Sequence, residues 1–286
     1  MRIAVTGGTG KLGRHVVRRL TDSGHTVVNL DREGERADGF VRVDLTDYGQ
    51  VIDALSGARD GDQPRAVDAI VHLAAVPAPG LSPDIETFRN NIVTTFGVFH
   101  AAIRLGIRNI VYASSETVLG LPFDTPPPYV PVDEEYAARP ESVYSLVKHL
   151  EEQLAIELCR WHPKLKIIGL RFSNVMDVED YEAFPFDADA QDRKWNLWAY
   201  IDGRDGAQAV EKALAFDAPG FDRFIIASPD SVMTRPNTEL LDEVFPDVER
   251  RGAIGEHTTL LAIDKARRVL GYSPEFSWRD TPTVNA

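Results

Sequence analysis

The stretch "RIAVTGGTGKLGRHVVRRL", residues 2–20, decides the fold. It opens on a β-type run, and Gly7, Gly10 and Gly13 follow at the spacing G-x-x-G-x-x-G. Leu12, Val16, Val17 and Leu20 then recur at helical spacing until Gly24 ends the pattern. A glycine turn lets the backbone bend sharply and approach a pyrophosphate, whose charge meets the free amides at the helix N-terminus. The turn alone is weak evidence, but here a strand precedes it and a helix follows, as that mechanism requires.

Outward from this unit, short β-type runs alternate with helical patterns. The runs are "TVVNL" (26–30), "FVRV" (40–43), "DAIVHL" (68–73), "NIVYAS" (109–114), "KIIGLRF" (166–172) and "RFIIAS" (223–228). Several are nearly continuously apolar, as parallel strands buried on both faces are. Helices are expected at 11–23, over a long segment ending at Gly106, and at about 203–217. The alternation predicts an α/β fold, a doubly wound, Rossmann-like parallel sheet. We expect a nucleotide-binding domain over 1–174, its sheet continued by about 200–228. A small C-terminal substrate-binding lobe is expected from 175–199 and 229–286, with short helices at about 237–244 and 257–269. Proline-rich 119–140 breaks the pattern and is expected to form a wall or lid over a site.

Composition narrows the function. A hydrophobic fraction of 43% over 286 residues supports a sizeable core. The net charge of −13 repels a nucleic-acid backbone, so no nucleic-acid partner is expected. The longest apolar runs are too short to span a bilayer, and the N-terminal residues do not read as a signal peptide. The single cysteine, Cys159, makes no internal disulfide and reads as a buried apolar residue, and a cytoplasmic protein is expected. His72 and His100 lack metal-ligand spacing, so no metal is expected.

Asp31 ends the second strand, 18 residues past Gly13. A carboxylate there accepts hydrogen bonds from an adenosine ribose diol and repels a 2′-phosphate, which favours NAD. Arg32 and Lys11 could pair with that phosphate, so NADP stays open. Asp44, in "VDLTD", could bond the adenine amino group or serve as a turn or N-cap aspartate.

At the other end of the argument, "ESVYSLVKHLEEQL" (141–154) sets Tyr144 and Lys148 one helical turn apart. A free phenol titrates near pH 10 and is a poor base at neutral pH, but a nearby ammonium favours phenolate. Val143, Val147, Leu150, Leu154 and Leu158 read as the buried stripe of this helix, with Tyr144 and Lys148 flanking it. An isolated Y-x-x-x-K is more often a core tyrosine beside a solvated lysine.

This one is not isolated. The chain resembles the extended short-chain dehydrogenase/reductase family, also called the NAD-dependent epimerase/dehydratase family. The resemblance is carried by "TGGTGKLG", Asp31, "VDL", "HLAA" (72–75), "RNNIVTTFGV" (89–98), "ASSETVLG" (113–120), "YSLVK" (144–148) and "LRFSNV" (170–175). It implies Tyr144 as catalytic acid/base, Lys148 as the group that binds the nicotinamide ribose and lowers the tyrosine pKa, and Ser115 as a hydrogen-bond partner of the reacting oxygen. It implies cofactor contacts from Gly7, Gly10, Lys11, Leu12, Gly13, Asp31, Arg32, Asp44, Leu45, Leu73, Ala74, Ala75 and Phe172. Asn91 would support the active-site backbone beside the cofactor, and Glu116 and Asn174 would meet substrate. A homodimer through helices at about 83–105 and 142–161 is likewise implied.

Within that family, dehydratases carry an Asp-Glu pair after the Ser/Thr, where this chain has Glu116 and Thr117. Nucleotide-sugar epimerases usually carry an Asn-Gly-Pro run where this chain has "SNVMDVEDYEAF", whose carboxylates disfavour a diphosphate unless they face water. The expectation is therefore an NAD(P)-dependent dehydrogenase of a sugar, sugar acid or polyol. A UDP-glucose 4-epimerase-like enzyme is the alternative, and a non-catalytic sensor a further one. Arg171, Arg193 and Lys194 are candidate partners for a substrate carboxylate, and Trp195 and Trp198 could cover a sugar face or the core.

Overall fold

The computed structural model describes residues 1–34, 39–57 and 66–280. Strands β1 (Arg2–Thr6), β2 (Thr26–Asp31), β3 (Phe40–Arg42), β4 (Ala69–His72), β5 (Asn109–Ser115), β6 (Tyr129–Val130), β7 (Lys166–Phe172), β8 (Val175–Met176), β9 (Ile201–Asp202), β10 (Gly220–Ile226) and β11 (Glu249–Arg250) run in chain order. Between them lie α1 (Lys11–Asp22), α2 (Tyr48–Ser56), α3 (Asp84–Leu105), α4 (Val143–Trp161), α5 (Gly203–Ala215), α6 (Asn237–Val244) and α7 (Asp264–Leu270).

Seven strands form one parallel sheet in the order β10-β7-β5-β4-β1-β2-β3. The strand order reverses between β1 and β4, so their loops diverge at the carboxyl edge and leave a crevice. Alternation along each strand feeds two cores. Ile3 and Val5 face one layer with Leu12, Val16 and Leu20 of α1 and Val210 of α5. Ala4 faces the other with Val51 of α2, Phe99 of α3 and Leu158 of α4. The doubly wound sheet expected from the sequence is the fold observed.

Among the described residues, the C-terminal segments add no separate core. Trp198, Tyr200, Phe245, Leu260 and Tyr272 pack in the same layer as Ile3 and Val5. The expected helix at 257–269 shortens to α7, because Thr258 and Leu261 are drawn into bridges with Asp230 and Val132. Residues 281–286 of the expected lobe lie outside the described residues. Segment 119–140 is not the expected wall over the site. Leu121, Phe123, Tyr129, Val130, Val132 and Tyr136 are buried, and β6 pairs with β11. Its prolines end regular structure, and its apolar residues make it core.

Candidate active site

A cleft of about 780 Å³ opens at the carboxyl edge where the strand order reverses, toward the upper end of the roughly 300–1,000 Å³ usual for ligand sites. It is lined at one end by Gly7, Gly10, Lys11, Leu12, Gly13, Asp31, Arg32, Asp44 and Leu45, along its floor by Leu73, Ala74 and Ala75, and at the other end by Ser115, Glu116, Tyr144, Lys148, Phe172 and Asn174. The fold thus collects residues far apart in sequence along one wall. Asn91 is the exception among the expected contacts. It is fully buried, and its side-chain amide pairs with Val76 through bonds of 2.8 and 3.0 Å, so it holds the cleft wall from behind.

The phosphate end is built from backbone. Gly7 has φ +72°, and a Cβ there would lie 2.7 Å from the Ala74 nitrogen. A Cβ on Gly13 would lie 2.1 Å from the Gly7 carbonyl oxygen. No side chain caps α1, so its first amides are left to the cleft. These features fit a dinucleotide: a cradle that side chains would fill, and uncapped donors for a pyrophosphate. At the end of β2, Asp31 accepts from the Thr9 amide at 3.1 Å and the Thr9 hydroxyl at 2.5 Å, which fixes the carboxylate toward the glycine turn. Asp44 is a turn aspartate, accepting from the Thr46 amide and hydroxyl at 2.9 and 2.7 Å. Those bonds hold its pKa below the ordinary value.

The acidic segment after β8 divides: Glu179, Glu182 and Asp189 are exposed, as the water-facing reading expects, whereas Asp177 and Asp180 are paired. Asp180 pairs with Lys11 at 2.5 Å, and Asp177 pairs with Arg14 and with His15. These two carboxylates tie the segment to α1.

At the reactive end, a Ser142/Ser145 capping box starts α4 and sets its rotation. The burial is not the expected stripe. Tyr144, Lys148, Glu151 and Glu152 are buried with Val147 and Leu158, while Val143, Leu150 and Leu154 are only half-buried. Charged residues go deepest because each has a partner there. Lys148 donates to the Ala113 carbonyl and to Glu151, both at 2.9 Å. Glu152 accepts from Arg171 at 2.8 and 2.7 Å and from the Ser114 hydroxyl at 2.7 Å.

The Lys148 nitrogen lies 5.9 Å from the Tyr144 ring centre. Burial pushes the phenol above its ordinary pKa; Lys148 and the Ser115 hydroxyl pull it down without overcoming that burial. Lys148 acts on this pKa in the expected direction, and desolvation is the larger effect. Lys148 itself is penalised by burial, yet the attraction of Glu151 leaves its pKa raised. Ser115 accepts from the Thr117 amide at 3.1 Å and hydroxyl at 3.0 Å, leaving its own proton to give.

Glu116 is buried and lines the cleft beside Ser115. One oxygen accepts from Asn196 at 3.2 Å, and burial pushes the pKa up to about 7 against the pull of Ser173, Asn196 and Asn174. The three cations proposed for a substrate carboxylate do not line this cleft. Arg171 is spent on Glu152, and Arg193 is buried, its guanidinium 5.1 and 4.8 Å from the Phe186 and Trp195 ring centres. Of the two tryptophans, Trp195 lines the cleft, whereas Trp198 is fully buried and donates to the Ala190 carbonyl at 2.8 Å.

A parallel sheet with a glycine cradle at its switch point, and a tyrosine and a lysine at the far end of the same cleft, defines the Rossmann-like α/β class. The chain belongs to the NAD dependent epimerase/dehydratase family, whose model matches residues 3–185, and it is of the extended short-chain dehydrogenase/reductase type. It is 28% identical over 196 residues to UDP-glucose 4-epimerase of Drosophila melanogaster, a match covering 60% of this chain and 52% of that protein. The chain thus spans about half the length of the curated epimerases it matches. It is 24% identical over 251 residues to dTDP-6-deoxy-L-talose 4-dehydrogenase (NAD(+)) of Aggregatibacter actinomycetemcomitans, covering 82% of this chain and 87% of that protein. The solved structure of MoeE5 in complex with UDP-glucuronic acid and NAD superposes with a TM-score of 0.72 at 22% identity, over 98% of this chain and 96% of that one. Among the described residues no helix is long and apolar enough to cross a membrane.

Proposed function

We propose that the protein is an NAD-dependent oxidoreductase that exchanges hydride with a carbinol of a sugar or polyol. The observation that carries this reading is the convergence of Ser115, Tyr144 and Lys148 at one end of a cleft whose other end is the glycine cradle. NAD, when bound, supplies the hydride acceptor. Tyr144 takes the hydroxyl proton, Ser115 donates to the oxygen as charge develops on it, and Lys148 turns its remaining N–H toward the cofactor ribose. Asp31 holds the adenosine ribose diol, which favours NAD over NADP.

The lining supports a neutral hydroxylated group rather than a sugar acid. Among the described lining residues the cations are Lys11, Arg32 and Lys148. The first two lie at the phosphate end and Lys148 is held by Glu151, while Glu116 occupies the substrate end. A second reading, 4-epimerisation of a nucleotide-linked sugar, is favoured by the names of several relatives. Purified protein given NAD and a panel of free aldoses, polyols, uronates and nucleotide sugars distinguishes them. Substrate-dependent absorbance at 340 nm supports the dehydrogenase; epimerised sugar without net NADH supports the epimerase. Neither product across the panel, with NAD bound, would sink both in favour of a sensor.

A homodimer is supported by Ile85, Val93 and Phe96, which are exposed on one side of α3, and by exposed Leu146 on α4. Light scattering tests it: a monomeric mass at micromolar concentration contradicts it.

A further inference from the structure

Behind Lys148 runs a file of buried polar groups that the hydride-transfer reading does not use. Thr6 Oγ1 lies 2.7 Å from His72 Nδ1, His72 Nε2 lies 3.0 Å from Thr95 Oγ1, and Thr95 Oγ1 donates to Glu151 Oε1 at 2.9 Å. Lys148 donates to the other Glu151 oxygen at 2.9 Å. The directions of these bonds are fixed by what each group can do. Thr6 Oγ1 already accepts from the Leu73 and Ala74 amides at 3.2 and 3.3 Å, so it donates to His72 Nδ1. His72 then carries its proton on Nε2 and donates to Thr95, which donates onward. Burial, then the charge of Lys148, takes the His72 pKa down to about 3, in keeping with a neutral ring. Every donor points toward Glu151, and both its oxygens accept. Although burial raises its pKa, a group that only accepts is a carboxylate.

We propose that Glu151 is a positioning residue of the Tyr144–Lys148 pair: it aims the ammonium, and its negative charge sets where on the pH axis the pair yields its proton. Lys148 has three N–H groups. Ala113 and Glu151 take two, so the third has one direction left, toward the cleft that Lys148 lines. The charge acts on Tyr144 as well, since Glu151 opposes the pull of Lys148 on the phenol. The other groups that face Glu151 and Lys148 are accounted for. His72 from β4 and Thr95 from α3 are neutral, Tyr112 from β5 is held protonated by burial, and Glu152 on α4 is neutralised by Arg171 from β7, with Arg223 from β10 at 4.0 Å. Glu116 approaches Tyr144 from the cleft side and also opposes its ionisation.

This inference rests on the proposed role of Tyr144, and its test needs no substrate. The Tyr144 ring carbon is followed by NMR across pH in protein with labelled tyrosine, and assigned by its loss in Tyr144→Phe. Glu151→Gln keeps the shape and removes the charge. With one anion fewer beside it, the Tyr–Lys pair gives up its first proton more easily, whichever residue releases it. The midpoint should therefore fall by about one pH unit. Glu151→Asp keeps the charge, so its midpoint should stay at the wild-type position. A role in packing alone predicts the reverse, with Gln silent and Asp disruptive. An unmoved or raised midpoint in Glu151→Gln, or a lowered one in Glu151→Asp, overturns the proposal; should the Gln variant not fold, the Asp midpoint decides. A protein that shifts as expected but turns over no substrate would sink the hydride-transfer reading and leave this one standing.

Discussion

The two ends of the cleft are made in opposite ways. The phosphate end is backbone: glycines folded onto the next strand's turn, uncapped amides, and few side chains. The reactive end is side chain: Tyr144, Lys148, Glu151, Glu152 and Arg171, all buried and matched in charge. One fails when an atom is added, the other when a charge is changed. A phosphate needs donors at close range, which any added Cβ blocks. A proton transfer needs a tuned pKa, which a buried charge controls far more strongly than an exposed one.

The largest expected effect tests the reactive end. Tyr144→Phe should lower kcat by about 10²–10⁴-fold with NAD affinity kept, measured by steady-state rates beside calorimetric titration; unchanged kcat removes the mechanism. At the same end but away from the chemistry, Arg171→Met leaves Glu152 buried with Arg223 as its remaining cation. It should cost about 3–5 kcal/mol in urea unfolding. A loss under 1 kcal/mol would mean that the pair is dispensable.

At the phosphate end, Gly13→Ala adds one methyl group 2.1 Å from the Gly7 oxygen. NAD binding should weaken at least about tenfold, a loss of roughly 1.4 kcal/mol. Should Gly13→Ala bind normally while Tyr144→Phe loses affinity, the contrast between the two ends would be inverted.

A pH-dependent effect falls on stability. Glu116 keeps its proton in the folded chain up to about pH 7 but loses it near 4.5 when unfolded. The folded state therefore holds the extra proton in that window, and stability falls as pH rises, by up to about 1.4 kcal/mol per unit. Glu116→Gln should flatten that slope between pH 5 and 7 in urea unfolding, and an unaltered slope would assign the shift elsewhere.

Much of the phosphate end was legible in the sequence because its signal is local. Gly7, Gly10 and Gly13 sit within seven residues, between a strand and a helix that announce themselves by apolar period. The reactive end was legible only in part. The spacing of Tyr144 and Lys148 put them on one helical face, but nothing near them in sequence says that Glu151 and Glu152 go inward. A glutamate is expected outside unless it is paired; Lys148 stands three residues before Glu151, but the other partners of the two glutamates lie on α3, β5 and β7. The same holds for 119–140, whose prolines point to a wall or lid while the tertiary fold uses its aromatic residues as core.

Sequence by itself determined the alternation of strands and helices, the glycine turn and the helical pairing of phenol with amine, since each is written within a few residues of its own chain. Tertiary structure alone decided which charges are buried, which carboxylates tie to α1, and that desolvation outweighs Lys148 at Tyr144. The reason is range: propensity and periodicity act between neighbours, whereas burial and charge balance depend on groups that only the folded chain brings together.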